Sequence, residues 1–208
     1  MSEYKYELMN TPFGTAQWAH LVTPDKKFNE LGDFKVGLVL SAEDARPLIA
    51  QIQEVKDKAV VEFTEIEEAN KKPGKKAKAV KASDIDPYEE LEDGTFEFKL
   101  KRKAAYIKDN GERFDFTVPL IDARGVEIKD TSNLNIGNGS EIRARAQLVP
   151  YNMATSGVGV SLRLVDCQIR KLVEYTGGSR YDDVSEDGGY VDGAAGASYS
   201  DAGAGYTV

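Results

Sequence analysis

The chain has 208 residues, 30% of them charged, and a formal net charge of −8, enough length to bury one good core with appendages. No apolar run approaches the ~18 residues that span a bilayer, and the first ten residues lack the basic-then-apolar order of a signal peptide. A lone Cys167 forms no internal disulfide and one histidine leaves too few ligands for structural zinc, so a reducing, intracellular setting without a bound metal is expected.

Residues 13–23 read as a first strand and 33–40 as a second, where Phe34, Val36, Leu38 and Leu40 alternate with Asp33, Lys35 and Gly37. A helix should follow, with Asp44 as its N-cap and Pro47 in the first turn, where a missing N–H matters little. Leu48, Ile52, Val55, Ala59, Phe63 and Ile66 then recur at helical spacing as one apolar stripe. From 70 to 94 the apolar pattern fails. Lys71, Lys72, Lys75, Lys76, Lys78 and Lys81 precede Asp84, Asp86, Glu89, Glu90, Glu92 and Asp93, and the segment reads as a long mobile loop.

Strands resume at 95–107 and 113–121, joined by a turn at Asp109-Asn110-Gly111, a strong hairpin signal. A connector carrying Gly137 and Gly139 leads to a second hairpin, RARAQLVPYNMATSGVGVSLRL at 143–164. Its first arm places Ile142, Ala144, Ala146 and Leu148 on one side and Glu141, Arg143, Arg145 and Gln147 on the other. Its second arm places Val158, Val160, Leu162 and Leu164 opposite Ser161 and Arg163. After Leu164 the parity flips to Val165, Cys167 and Ile169, the mark of a β-bulge. Five or more strands, one helix and a bulge predict a mainly β chain, a partly open five-stranded barrel of the OB type, over residues 1–176. Residues 177–208 carry six acids and one base among Gly, Ala, Ser and Tyr, and read as a disordered acidic tail. That tail masks a body of net charge +3 between 95 and 175.

His20 reads as a satisfied strand histidine, with no local support for a nucleophile system. Gly157-Val158-Gly159 lacks the Lys-Ser/Thr ending of a phosphate loop and reads as hairpin flexibility. Asn138-Gly139-Ser140 reads as a turn. The acids from Asp84 to Asp93 could hold a divalent metal, as a nuclease requires, but read more simply as a solvated loop. What remains is a binding surface. Arg143, Arg145 and Arg163 share one strand face, Lys99, Lys101 and Lys103 share another, and Tyr106 and Tyr151 lie near both. Cations can follow the phosphates of a single strand while rings stack on its bases. Trp18, on the first strand, reads more readily as a core residue than as a stacking platform, and both readings stay open. From pattern alone, nucleic-acid binding, a metal-dependent nuclease and a β-barrel interaction module for other ligands all stay open.

The segments GTAQWAHLVTPD, DFKVGLVL before a capped helix, DGTFEFKLK, LIDARG and LVPYNMATSGVGVSLRL, in that order, resemble the single-stranded DNA-binding proteins of T-seven-like bacteriophages. The resemblance implies an OB-fold with one long helix, sequence-independent binding of single-stranded DNA, and strand annealing in phage DNA replication, recombination and repair in the host cytoplasm. It also implies a homodimer, and an acidic tail (here Asp182, Asp183, Glu186, Asp187, Asp192 and Asp201) that contacts the replicative polymerase and primase-helicase. The family's stacking tyrosine after Val-Pro falls on Tyr151, and its lysine in the Phe-x-Phe-Lys pattern falls on Lys99. The family's arginine before the second strand has no counterpart at Leu31 and Gly32, and Met153 replaces a tryptophan. The tail ends Tyr206-Thr207-Val208 without a terminal acidic–aromatic cluster. Its carboxylates and tyrosines are also expected to occupy the groove when DNA is absent. No cofactor and no membrane are called for.

Overall fold

Alternating burial sets the first layer of the structure, a computed structural model that describes residues 6–174. Strand β1 (Glu7–Asn10) leads into β2 (Gly14–Asp25), which runs antiparallel to β3 (Asp33–Leu40). On β3 the apolar set Phe34, Val36, Leu38 and Leu40 is buried, as the period of two requires.

Helix α1 (Ala42–Ala69) starts earlier than the sequence suggests. Its N-cap is Ser41, whose Oγ accepts from the Asp44 N–H at 3.1 Å and donates to the Asp44 carboxylate at 2.8 Å. Asp44 is therefore three residues inside, and Pro47 sits beyond the first turn, leaving the Glu43 carbonyl without its usual helical donor. The buried stripe runs Ala45, Leu48, Ile52, Val55 and Ala59, and packs against the two long strands described below. It stops there. Val61 is 59% and Ile66 42% exposed, so the last turns of a helix about 42 Å long extend past the sheet. Among the described residues no helix is long and apolar enough to cross a membrane.

The segment expected as a patternless loop from 70 to 94 is tied down over its second half. Lys81 and Ser83 bracket Val158 in backbone hydrogen bonds of 2.8 and 2.7 Å, and β4 (Tyr88–Glu90) pairs with β5 (Phe96–Lys103). Asp86 is not solvated at random: it faces Lys56 at 2.9 Å, a lysine buried in the helix–sheet interface. A buried ammonium without that partner would be strongly unfavourable.

The strand expected over 95–107 breaks at Ala104, whose N–H donates to Gly32 O at 2.9 Å and whose carbonyl accepts from Phe116 N–H at 2.8 Å. Beyond the break, β6 (Ala105–Ile107) and β7 (Arg113–Asp115) form a separate two-stranded ribbon around the expected turn, with Gly111 at φ +82°. The expected 113–121 strand is likewise split, since Pro119 has no ladder N–H, and only β8 (Leu120–Ile121) rejoins the main sheet.

The hairpin of β9 (Glu141–Met153) and β10 (Gly157–Lys171) follows the face-by-face reading. Ala146 faces Leu164 and Arg145 faces Asp166, so Val165 is the extra residue of the expected bulge. One refinement applies: Cys167 and Ile169 are buried as expected, but Val165 is only half-buried and faces a groove. The pairings β9–β2–β3–β5–β10–β9 return to their start, the ring of an OB-type fold. Two seams are thin. β2 meets β9 only at Gly14↔Ile142 and Thr15↔Glu141, and β10 meets β5, in parallel, only at Leu162↔Leu100 and Arg163↔Lys101. The ring is partly open, as expected, with β1, β4 and β8 as additions. The expected acidic tail, 177–208, lies outside the described residues.

Replacing Ile52, fully buried under the sheet, by Ala should cost about 2–5 kcal/mol in urea unfolding. The same change at Ile66, past the sheet, should stay within about 0.5 kcal/mol. Equal losses at both sites would mean that the distal helix is covered in solution.

Candidate nucleic-acid interface

On β5 the buried Phe98 and Leu100 alternate with exposed Lys99, Lys101 and Lys103. The parallel seam sets Lys101 directly opposite Arg163 on β10. Because strand pairing ends within two residues of this point, the strands splay, and a groove of about 820 Å³ opens along them. It holds six residues expected at a binding surface: Lys99, Lys101, Lys103, Tyr106, Tyr151 and Arg163. Ile85 and Pro87 form part of one wall, just past the Lys81 and Ser83 backbone bonds to Val158 at the turn end of the hairpin.

Tyr151 is held by an absence. It faces Gly159 across the β9–β10 ladder, and a Cβ on Gly159 would stand 2.4 Å from the phenol oxygen and 2.5 Å from Cζ. The hydroxyl end of the ring covers the glycine while Tyr151 still lines the groove, a pairing of aromatic and glycine that strands use to fix a ring. Gly157 has a related role. At φ +87° it also lets the Lys81 carbonyl approach where a Cβ would come within 2.5 Å. These glycines serve close approach, not the flexibility that their spacing suggests.

The groove carries its own counter-charges. Lys99 is 2.7 Å from Glu89, and Lys101 is 2.9 Å from Asp33. The hydrogen bond from Lys99 holds the Glu89 carboxyl below its ordinary range, while burial pushes Glu97 up. Arg163 lies 5.1 Å over the Tyr6 ring.

Arg143 and Arg145 stand elsewhere. They border a smaller recess of about 250 Å³ with Asp166 and Gln168. The bulge at Val165 brings Asp166 opposite Arg145, and the two form an ion pair that keeps the guanidinium firmly protonated. Arg143 donates to Gln168 Oε1 at 2.7 Å and stacks 4.9 Å over Phe13. Arg163 opposes Gln147, so the three arginines do share one strand face, but they line two recesses rather than one track. Among the described residues, no three Asp, Glu, His or Cys side chains converge to hold a metal ion. Asp86 serves Lys56, Glu89 serves Lys99, and Asp93 accepts from Thr95. Cys167 is buried, which pushes its thiol up and away from reactivity.

Several side chains escaped the sequence reading. Arg102 covers Phe116 at 5.1 Å on the groove wall, and Lys108 covers Phe114 at 4.1 Å on the adjoining ribbon. Only the alternation in RFDF hinted at those rings. Phe28, in the turn from β2 to β3, is 85% exposed with Lys27 at 5.3 Å. Trp18 goes against the favoured of its two readings: it is 68% exposed, not core, with φ +51°. That conformation costs a non-glycine residue about 1–3 kcal/mol.

Two sets of solved structures share this architecture. Gp2.5, a single-stranded DNA binding protein encoded by bacteriophage T7, aligns with TM-score 0.69 and 26% identity over 89% of this chain and 98% of that one. The single-stranded DNA-binding protein from bacteriophage Enc34 aligns with TM-score 0.52 and 14% identity, over 88% of this chain and 90% of that one. Its complex with single-stranded DNA gives TM-score 0.51 and 11% identity, over 82% and 89%. At those last identities the likeness is one of fold. No curated protein sequence matches the chain. The family model described as the single-stranded DNA-binding protein of bacteriophage T7 matches residues 12–172, and the chain belongs to that family.

Proposed function

We propose that this protein binds single-stranded DNA without reading its sequence, in the groove between β5 and β10. The observation that carries this is the convergence of Lys99, Lys101, Lys103 and Arg163 on one cleft rimmed by Tyr106 and Tyr151. The cations neutralise phosphates and the rings stack on bases of any identity. Family membership and the DNA complex of the Enc34 protein support the reading. Arg143 and Arg145, engaged with Gln168 and Asp166, act as a secondary positive face rather than as the main track. The biological setting we propose is the replication, recombination and annealing of phage DNA in the infected cell. Homodimerisation, and contact of the tail acids Asp182, Asp183, Glu186, Asp187, Asp192 and Asp201 with polymerase and primase-helicase, belong to the same proposal.

Titration with labelled oligothymidine across a salt series should give a log–log slope of about −3 if four cations each release counterions from a single strand. A flat salt response, or equal affinity for duplex, rejects the reading. Tyr151→Ala should lose about 1–3 kcal/mol of binding if the ring stacks. Gly159→Ala should lose a comparable amount while keeping the ring, because the new methyl displaces it; full affinity in Gly159→Ala would show that the observed pose is not used.

Glu89→Gln should tighten binding by up to about fivefold at low salt, by releasing Lys99 from an exposed pair. The sign under titration is the same. Lys99 lowers the Glu89 value, so the pair persists through neutral pH and is lost as pH falls through that lowered value; affinity should therefore rise on acidification in wild type and less so in Glu89→Gln. Weaker binding by Glu89→Gln would place Lys99 off the DNA path.

A further inference from the structure

Trp18 occupies a backbone position that normally belongs to glycine. Gln17 faces Gly37 and His20 faces Lys35, so β2 spends two residues, Trp18 and Ala19, against the single Val36 of β3. This is a bulge, and the left-handed first residue of such a bulge is usually Gly. Trp18 takes that conformation, at φ +51°, and its N–H donates to Asn138 Oδ1 at 2.8 Å. The ring adds little to the core, being 68% exposed. Glycine would meet the backbone requirement without strain. Something other than folding accounts for an indole there.

The strand register leads from the groove to this ring. Arg163 on β10 faces Lys101 on β5, Lys101 faces Lys35 on β3, and Lys35 faces His20 on β2. Directly opposed residues project to the same face of a sheet, so the four form one row across four strands, about 14 Å long. One end of the row, Arg163 and Lys101, lines the groove. At the other end, His20 and Trp18 together line a second recess, about 420 Å³, between β2 and the 134–138 connector. Lys35, half-buried, pairs with Asp25 at 2.5 Å just as Lys101 pairs with Asp33, so the row repeats the groove's pattern of lysines that each carry a carboxylate.

From this placement we infer that Trp18 is a second base-stacking platform. A strand leaving the groove at Lys101 crosses β3 over Lys35 and sets a base against the indole. The inference rests on the proposed reading of the groove. A base is the occupant because the approach to the ring is a row of cations matched to a phosphate chain, and an indole face accepts any base.

Trp18 is the chain's single tryptophan, so its emission reports on this site alone. Binding of labelled oligothymidine is followed by anisotropy while Trp18 emission is recorded on the same samples. Emission should be quenched in step with anisotropy. Trp18→Ala and Trp18→Gly should each weaken binding by roughly five- to a hundredfold, and Trp18→Phe by less. Trp18→Gly should at the same time keep or raise the thermal midpoint, which separates loss of the ring from loss of the fold. Rising anisotropy with unchanged emission, or full affinity in Trp18→Ala, overturns the inference while leaving the groove intact. No anisotropy change in wild type overturns the groove reading and the inference with it. A blue shift that grows with protein concentration in the absence of DNA would place the ring between two copies of the chain and also overturn it.

Discussion

Strand β10 must satisfy neighbours on both of its edges, and the rest of the molecule is arranged around that requirement. One edge pairs with β9 along almost its whole length. The other edge takes the 81–83 segment at Val158, then β5 at Leu162 and Arg163, and then β8 at Cys167 and Gln168. Val165 lies between the β5 and β8 stations. A residue inserted on one strand bends it and increases its twist, and here that bend lets one strand leave β5 and reach β8. The short parallel seam with β5 closes the ring, and because it is so short the strands beyond it diverge into the groove. The bulge also changes which residues oppose one another, which is how Asp166 comes to neutralise Arg145. Closure, cleft and the pairing of Arg145 follow from one extra residue.

The same economy governs the hairpin end. Tyr151 and Gly159 are partners across the ladder, so the ring is oriented by missing atoms rather than by a contact that another side chain must supply. Lys81 and Ala82 lean on Gly157 for the same steric reason. Hairpin, basic segment and groove wall are thereby joined through two glycines. Helix α1 closes the opposite side of the β9–β10 layer with a stripe that ends at Ala59.

Much of this was legible where a local period decides burial. The alternation on β3, the helical stripe as far as Ala59, the two faces of the β9–β10 hairpin and the parity flip after Leu164 all follow from residue spacing alone. The cations of the groove were legible for the same reason, since Lys99, Lys101 and Lys103 occupy one face of one strand. What escaped depends on distant partners. Ser41 and Asp44 both suit an N-cap, and only the packed helix selects Ser41. The break at Ala104 is imposed by Gly32 and Phe116, far away in sequence, while the local pattern runs on without interruption. Tyr88–Glu90 forms a strand only because β5 offers an edge to a segment that otherwise reads as charge. Strand tryptophans usually face inward, and nothing local announces that Trp18 sits on a bulge anchored by Asn138.

The carboxylates beside Lys99, Lys101 and Lys35 give the empty surface a set of internal placeholders. On the proposed reading, an incoming polyanion must draw these lysines off their carboxylates as well as displace small ions, so charge alone gains less than the lysine count suggests. A duplex, with its bases stacked on one another, brings little else to the exchange. A single strand brings faces that can settle on Tyr151 and its neighbours. Occupied lysines would thus act as a threshold that weak electrostatic visitors do not cross, and selectivity for unpaired DNA would arise from the cost of displacement rather than from any contact that recognises a base.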